Sequence, residues 1–194
     1  MQNFCTCAKL TYNCIEIIHI AQRITVIVYP SHQPTHSDPH FTSPETRINT
    51  GFLRFVNFYG LPLTFTPAAA STLKHFFEDT STSPDDYDVI FTGDLGYVGS
   101  KLLYQILDRE GIDICCKHSD CGLLLFDREK QDVHAGASGC GCSAAVLNSY
   151  VMHRFEDKSF KNVLFMSTGA LMSPTSSMQG ESIPGVAHLI NIRI

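Results

Sequence analysis

From about residue 60 to the end, short apolar runs alternate with helix-forming stretches, and each change is marked by a cap or turn residue. Such alternation favours an α/β layered fold with helices covering a mixed sheet. Thr66-Pro67 reads as a helix start, with a hydroxyl at the N-cap and proline at the first helical position. The helix is expected over 67–79, with Leu73, Phe76 and Phe77 on its apolar face. Ser83-Pro84-Asp85-Asp86 reads as a turn. A short buried strand, 88–92, runs into Gly93-Asp94, and a second helix, 98–109, is closed by Gly111. Strand-like runs follow at Ile112–Cys116 and Gly122–Phe126. The stretch Ala135–Ser143 leads into a third helix over 143–156. Strands are expected at 162–168 and 185–193, joined by a Gly/Ser/Pro loop.

Residues 1–60 differ. They hold 2 of the 13 glycines, and Pro30, Pro34, Pro39 and Pro44 recur at nearly even steps. Proline denies the backbone regular pairing, so this part reads as an irregular, linker-like segment ahead of a domain at 61–194. His32, His36 and His40 read as solvated linker residues rather than metal ligands. Within it, Cys14–Tyr29 is rich enough in β-branched residues for one or two strands.

Charge and cysteine exclude several classes. The net charge of -5 makes non-specific nucleic-acid binding a poor fit. Ile15–Tyr29 comes nearest to a membrane span but is broken by Glu16, His19, Gln22 and Arg23. Met1–Cys14 carries only Lys9 as a cation and no small-residue cleavage site, so cytosolic synthesis without a signal peptide is expected. The 8 cysteines are too few and too oddly spaced for a disulfide framework. Cys115, Cys116, His118 and Cys121 match no usual paired zinc spacing. The three glycines of Gly93–Gly99 lack a Lys-Ser/Thr ending and give only a weak phosphate-loop signal. No cofactor or metal site is read in the sequence.

Four segments are unusual in composition: Thr66-Pro67-Ala68-Ala69-Ala70, Ser83–Gly96, Asp132–Ala145 and Thr168–His188. Together they resemble the stage V sporulation protein AD family of the thiolase-like superfamily, over about residues 60–190. The resemblance covers the C-terminal half of such a protein. It implies one βαβαβαββ half of a two-half, five-layer fold, with the helix after Cys142 in the centre. It further implies a non-catalytic role in spore formation: binding dipicolinic acid, free or as its calcium chelate, and assisting its transport into the forespore. The implied partners are an N-terminal thiolase-like half and other proteins of the spore dipicolinate channel. The implied place is the periphery of the spore inner membrane.

The alternatives are a thiolase- or ketosynthase-type acyltransferase and an inactive truncated remnant. An acyltransferase needs a nucleophilic cysteine with activating histidines. Cys5, Cys7 and Cys14 lie in no matching motif. Where the superfamily places a histidine after its first core strand, this chain has Asp94, and a carboxylate donates no proton at neutral pH unless burial raises its pKa. His134 stands one residue closer to the GASG glycine than the thiolase pattern requires. Cys140 and Cys142 sit at the start of the third helix, where a helix N-terminus lowers a thiol pKa, and Cys140 is the best nucleophile candidate. Asp94, His134, Ser138, Cys140, Thr168 and Gly169 are the expected lining of a ligand site. The donors are expected to come from backbone N–H groups of the Gly139–Ser143 turn.

Overall fold

The computed structural model describes the backbone of residues 25–29, and residues 61–170, 175, 178–179 and 185–194, with side chains from Phe65 on. The linker expected around Pro30, Pro34, Pro39 and Pro44, and Cys5, Cys7 and Cys14, lie outside the described residues.

Five strands form one sheet. They are β1 (Thr25–Tyr29), β2 (Val89–Thr92), β3 (His118–Asp120), β4 (Asn162–Ala170) and β5 (Gly185–Arg193). Their order across the sheet is β1-β5-β4-β2-β3. β4, β2 and β3 are mutually parallel, with Thr92 opposite both Met166 and Asp120. β5 runs antiparallel to β4, and β1 antiparallel to β5, pairing Thr25 with Arg193. A strand was expected somewhere in Cys14–Tyr29, and β1 meets that expectation at its end.

The helices cover both faces of this sheet. They are α1 (Leu61–Thr80), α2 (Gly96–Arg109), a single turn α3 (Cys121–Leu124), and α4 (Cys142–Val146), which continues through a π-helical turn, Leu147–Val151, into α5 (Met152–Glu156). Consecutive apolar residues in a parallel strand point to opposite faces, so both faces need cover. Ile90, Leu164, Met166 and Leu189 face α1 and α2, where Leu73, Phe76, Leu103 and Leu107 meet them. Phe91, Val163, Phe165 and Ile192 face the other way, onto Val146, Val151 and Phe155. The result is three layers, helix, sheet and helix.

Several expected boundaries shift for local reasons. α1 begins at Leu61, so Pro67 lies inside the helix and Thr66 is no N-cap. The fully buried Thr66 hydroxyl instead donates to the Gly99 carbonyl (3.4 Å) across the α1–α2 contact. Ile112–Cys116 is a set of turns, not a strand. Gly111, at φ 75°, ends α2, and the Ile114 carbonyl accepts from the Lys117 and His118 amides (2.9 and 2.8 Å). Gly122–Phe126 is not a strand either. Asp120 accepts from the Gly122 amide (3.0 Å) and winds Cys121–Leu124 into a helical turn.

The third helix lies on the sheet as expected, and among the described residues no second layer covers its outer side. Ala144, Ala145 and Asn148 are exposed among the described residues, so it is an outer layer here. The central placement needs a further layer of protein over that side.

Candidate functional site

Three parallel strands bring their carboxyl ends to one edge of the sheet, where α/β proteins collect ligands. β2 ends at Thr92 and leads into Gly93-Asp94, β3 ends at Asp120, and β4 carries Thr168. The 135–142 loop packs over these ends.

Asp94 is the hub of the outer half of this cluster. Its Oδ1 accepts from Thr168 Oγ1 (3.0 Å), and its Oδ2 accepts from Ser138 Oγ (2.9 Å) and the Gly139 amide (3.0 Å). The Asp94 amide donates back to Thr168 Oγ1 (3.2 Å). Gly93 is required here, since a Cβ would stand 2.9 Å from that hydroxyl. Of the expected lining, the fold therefore gathers Asp94, Ser138 and Thr168. The Gly139 N–H, expected to receive a ligand, is occupied by Asp94.

The other expected residues stand apart from this cluster. The His134 side chain is 88% exposed, and its Nε2 lies 3.9 Å from Asp132. Cys140 is exposed. Gly169 lies within β4, opposite Val186 of β5. Cys142 is buried, with Sγ 3.7 Å from the Gly93 carbonyl. Burial first, then the charges of Asp94 and Asp120, pushes its thiol up to about 11. The lowered pKa expected from the helix terminus is thus reversed at Cys142, since desolvation outweighs the dipole.

The inner half of the cluster escaped the sequence reading. Asp120 is buried, and its carboxylate accepts four hydrogen bonds. The donors are Thr92 Oγ1 (2.7 Å) and the amides of Leu95 (2.9 Å), Gly96 (3.0 Å) and Gly122 (3.0 Å). Burial raises its pKa, and those donors oppose the rise. Thr92 Oγ1 also lies 2.8 Å from His118 Nε2, whose Nδ1 lies 2.7 Å from the Tyr104 hydroxyl. With the Thr92 proton given to Asp120, His118 donates from Nε2 and accepts from Tyr104 at Nδ1, which defines a neutral imidazole. Burial lowers the His118 pKa to about 4, in keeping with that tautomer. The sequence signal was faint: a polar triplet, His118-Ser119-Asp120, between apolar runs and just before Cys121-Gly122.

Beside this edge, the first turn of α2 carries Tyr97, whose amide donates to the Ala135 carbonyl (2.9 Å). Lys101 Nζ lies 4.1 Å and Arg128 Cζ 4.0 Å from the Tyr97 ring centre. Arg128 Nε also donates to the His134 carbonyl (3.1 Å). The Lys101 ammonium is the main reason the Tyr97 phenol lies below its usual range. Two cations are thus held against one aromatic ring next to the glycine-rich loop. A hollow of about 230 Å³, lined by Tyr104, Asp108 and Ile112–Cys115, lies at the far end of α2 from Tyr97 and shares Tyr104 with the His118 side of the cluster. Among the described residues, no three His, Cys, Asp or Glu side chains are placed to hold a metal ion. No described helix is long and apolar enough to cross a membrane.

These features define a three-layer α/β domain with a polar cluster at the carboxyl ends of its parallel strands. The chain belongs to the Stage V sporulation protein AD (SpoVAD) family, whose profile matches residues 57–193. It is 46% identical over 122 residues to Stage V sporulation protein AD of Bacillus subtilis (strain 168). That match covers 63% of this chain and 36% of the relative, so the chain spans about a third of that protein's length. A role in sporulation follows from the family.

Proposed function

We propose that this chain is a thiolase-like, non-catalytic part of a sporulation protein that binds dipicolinate and assists its passage into the forespore. Dipicolinate is a small, flat dianion, so its site needs hydrogen-bond donors, positive charge and a flat wall. One observation carries the reading. The glycine-rich family segments converge at the carboxyl ends of β4, β2 and β3, and Lys101 and Arg128 gather at Tyr97 beside them. The Asp94 and Asp120 carboxylates would repel a dianion placed directly on them. The ligand therefore sits at the Tyr97 side of the 135–141 loop, where the two cations offset that repulsion, or arrives as its calcium chelate.

Two observations weigh against acyl transfer. The Cys142 thiol is buried, which pushes it up to about 11, and the His134 side chain is exposed to solvent. An N-terminal thiolase-like half covers the exposed side of the helix after Cys142, making it central. Together with other proteins of the dipicolinate channel, this half holds the complex at the spore inner membrane.

Calorimetry with dipicolinate tests the binding. The chain should give heat of binding, and Arg128→Ala should weaken affinity by about tenfold, the usual scale for a lost charge-assisted hydrogen bond. No heat from folded protein, with or without calcium, would reject the reading.

A further inference from the structure

We propose that Asp120 is the positioning residue of this site: its buried carboxylate sets the turn that presents Asp94 and ties it to the segment carrying the 135–139 loop. The inference rests on reading the Asp94 edge of the sheet as the ligand site, but its readout needs no ligand.

The geometry is specific. Leu95, the residue after Asp94, donates its amide to Asp120 Oδ2, and Gly96 donates to Oδ1. Those two bonds fix the backbone on which Asp94 sits. On the other side, Oδ1 also takes the Gly122 amide, and the Gly122 carbonyl accepts from the Ala137 amide (2.8 Å). One carboxylate therefore links the turn bearing Asp94 to the neighbour that anchors the loop bearing Ser138 and Gly139. Asp94 closes the circuit by accepting from those two residues.

The charge state matters as well as the shape. Thr92 donates its hydroxyl proton to Asp120, and the other three neighbours of the carboxylate are amides, so all four are donors. An asparagine would keep the volume but place an NH₂ group against donors. The nearby acid Asp94 cannot substitute for Asp120, since it is already committed to Thr168, Ser138 and Gly139.

Asp120→Asn in the full 194-residue chain is the test, read by amide hydrogen exchange. The Gly139 amide should exchange about tenfold faster, as expected for loss of a hydrogen bond to a charged group, while the β4–β5 ladder keeps its protection. A purely structural role would accelerate all amides alike, and that result overturns the proposal. So does unchanged Gly139 exchange in a folded variant. If the unaltered chain gives no heat with dipicolinate, the binding reading fails, and the exchange data still decide the positioning role. Should Asp120→Asn not fold, Thr92→Val removes one of the four donors to Asp120, along with the Thr92 partner of His118. Its Gly139 amide should then exchange about threefold faster with the ladder unchanged, and unchanged or uniformly faster exchange overturns the proposal.

Discussion

Thr168 serves Asp94 twice, its hydroxyl donating to the carboxylate and accepting from the amide. Thr168→Val keeps the shape and removes both bonds, so the fold should lose about 1–3 kcal/mol, measured by urea unfolding. His118 gives a second expectation. Its folded pKa of about 4 lies below the ordinary 6.5, so between those values the unfolded chain takes a proton that the folded chain refuses. Stability is thus full above pH 6.5 and falls as pH drops toward 4, by roughly 3 kcal/mol from this residue. Asp120, raised by burial, works in the opposite sense where the ranges overlap. The clean readout is therefore the difference between the chain and His118→Gln, which should shrink from pH 7 to pH 4. A constant difference would contradict it. A third expectation concerns the thiols. After incubation with acyl-CoA thioesters, Cys140 and Cys142 should remain unacylated by intact mass, and a stoichiometric adduct would favour the acyltransferase alternative. At this scale Asp94, Ser138 and Thr168 were legible because they sit in segments of odd composition. Asp120 was not, because a buried acid satisfied by four donors looks in the sequence like any polar residue before a turn.

Among the elements, the turn at Gly96 shows how local rules and packing combine. Gly96 has φ 66°, and a Cβ there would stand 2.6 Å from the Ala135 carbonyl oxygen. Gly111 has φ 75° with nothing within 4 Å of such a Cβ. Gly111→Ala should therefore cost about 1–2 kcal/mol, the backbone penalty alone. Gly96→Ala adds a clash and should cost about 2–4 kcal/mol and loosen the 135–137 segment. Thermal unfolding of the two variants checks the order, and equal costs would contradict the packing argument. The strands over 89–92, 162–170 and 185–193 and the helices after Gly96 and Gly141 were readable from apolar runs and glycine boundaries. Ile112–Cys116 misled because Ile112 and Ile114 look like strand residues yet pack under α2, while the strand beside β2 is the polar His118–Asp120. Apolar patterning identifies buried surface, but it does not say which neighbour does the burying. The early start of α1 was hidden by Pro67, because proline is favoured in the first turn of a helix and disfavoured inside one.

For the whole molecule, the sheet order is what turns scattered segments into a site. β2 lies between β4 and β3, so residues 74 positions apart, Asp94 and Thr168, meet at one edge. Sequence could supply the segments, but not the pairing of β1 with β5 or the burial of Asp120, which depend on contacts across the chain. The central claim is that this edge, from Asp94 to the Tyr97–Arg128 pair, receives dipicolinate. Titrating dipicolinate into the ¹⁵N-labelled chain and following its amide resonances tests the claim most directly. Shifts should concentrate at 94–97, 128 and 135–141 and saturate. No shifts at millimolar ligand, or shifts confined to the hollow at 108–115, would contradict it.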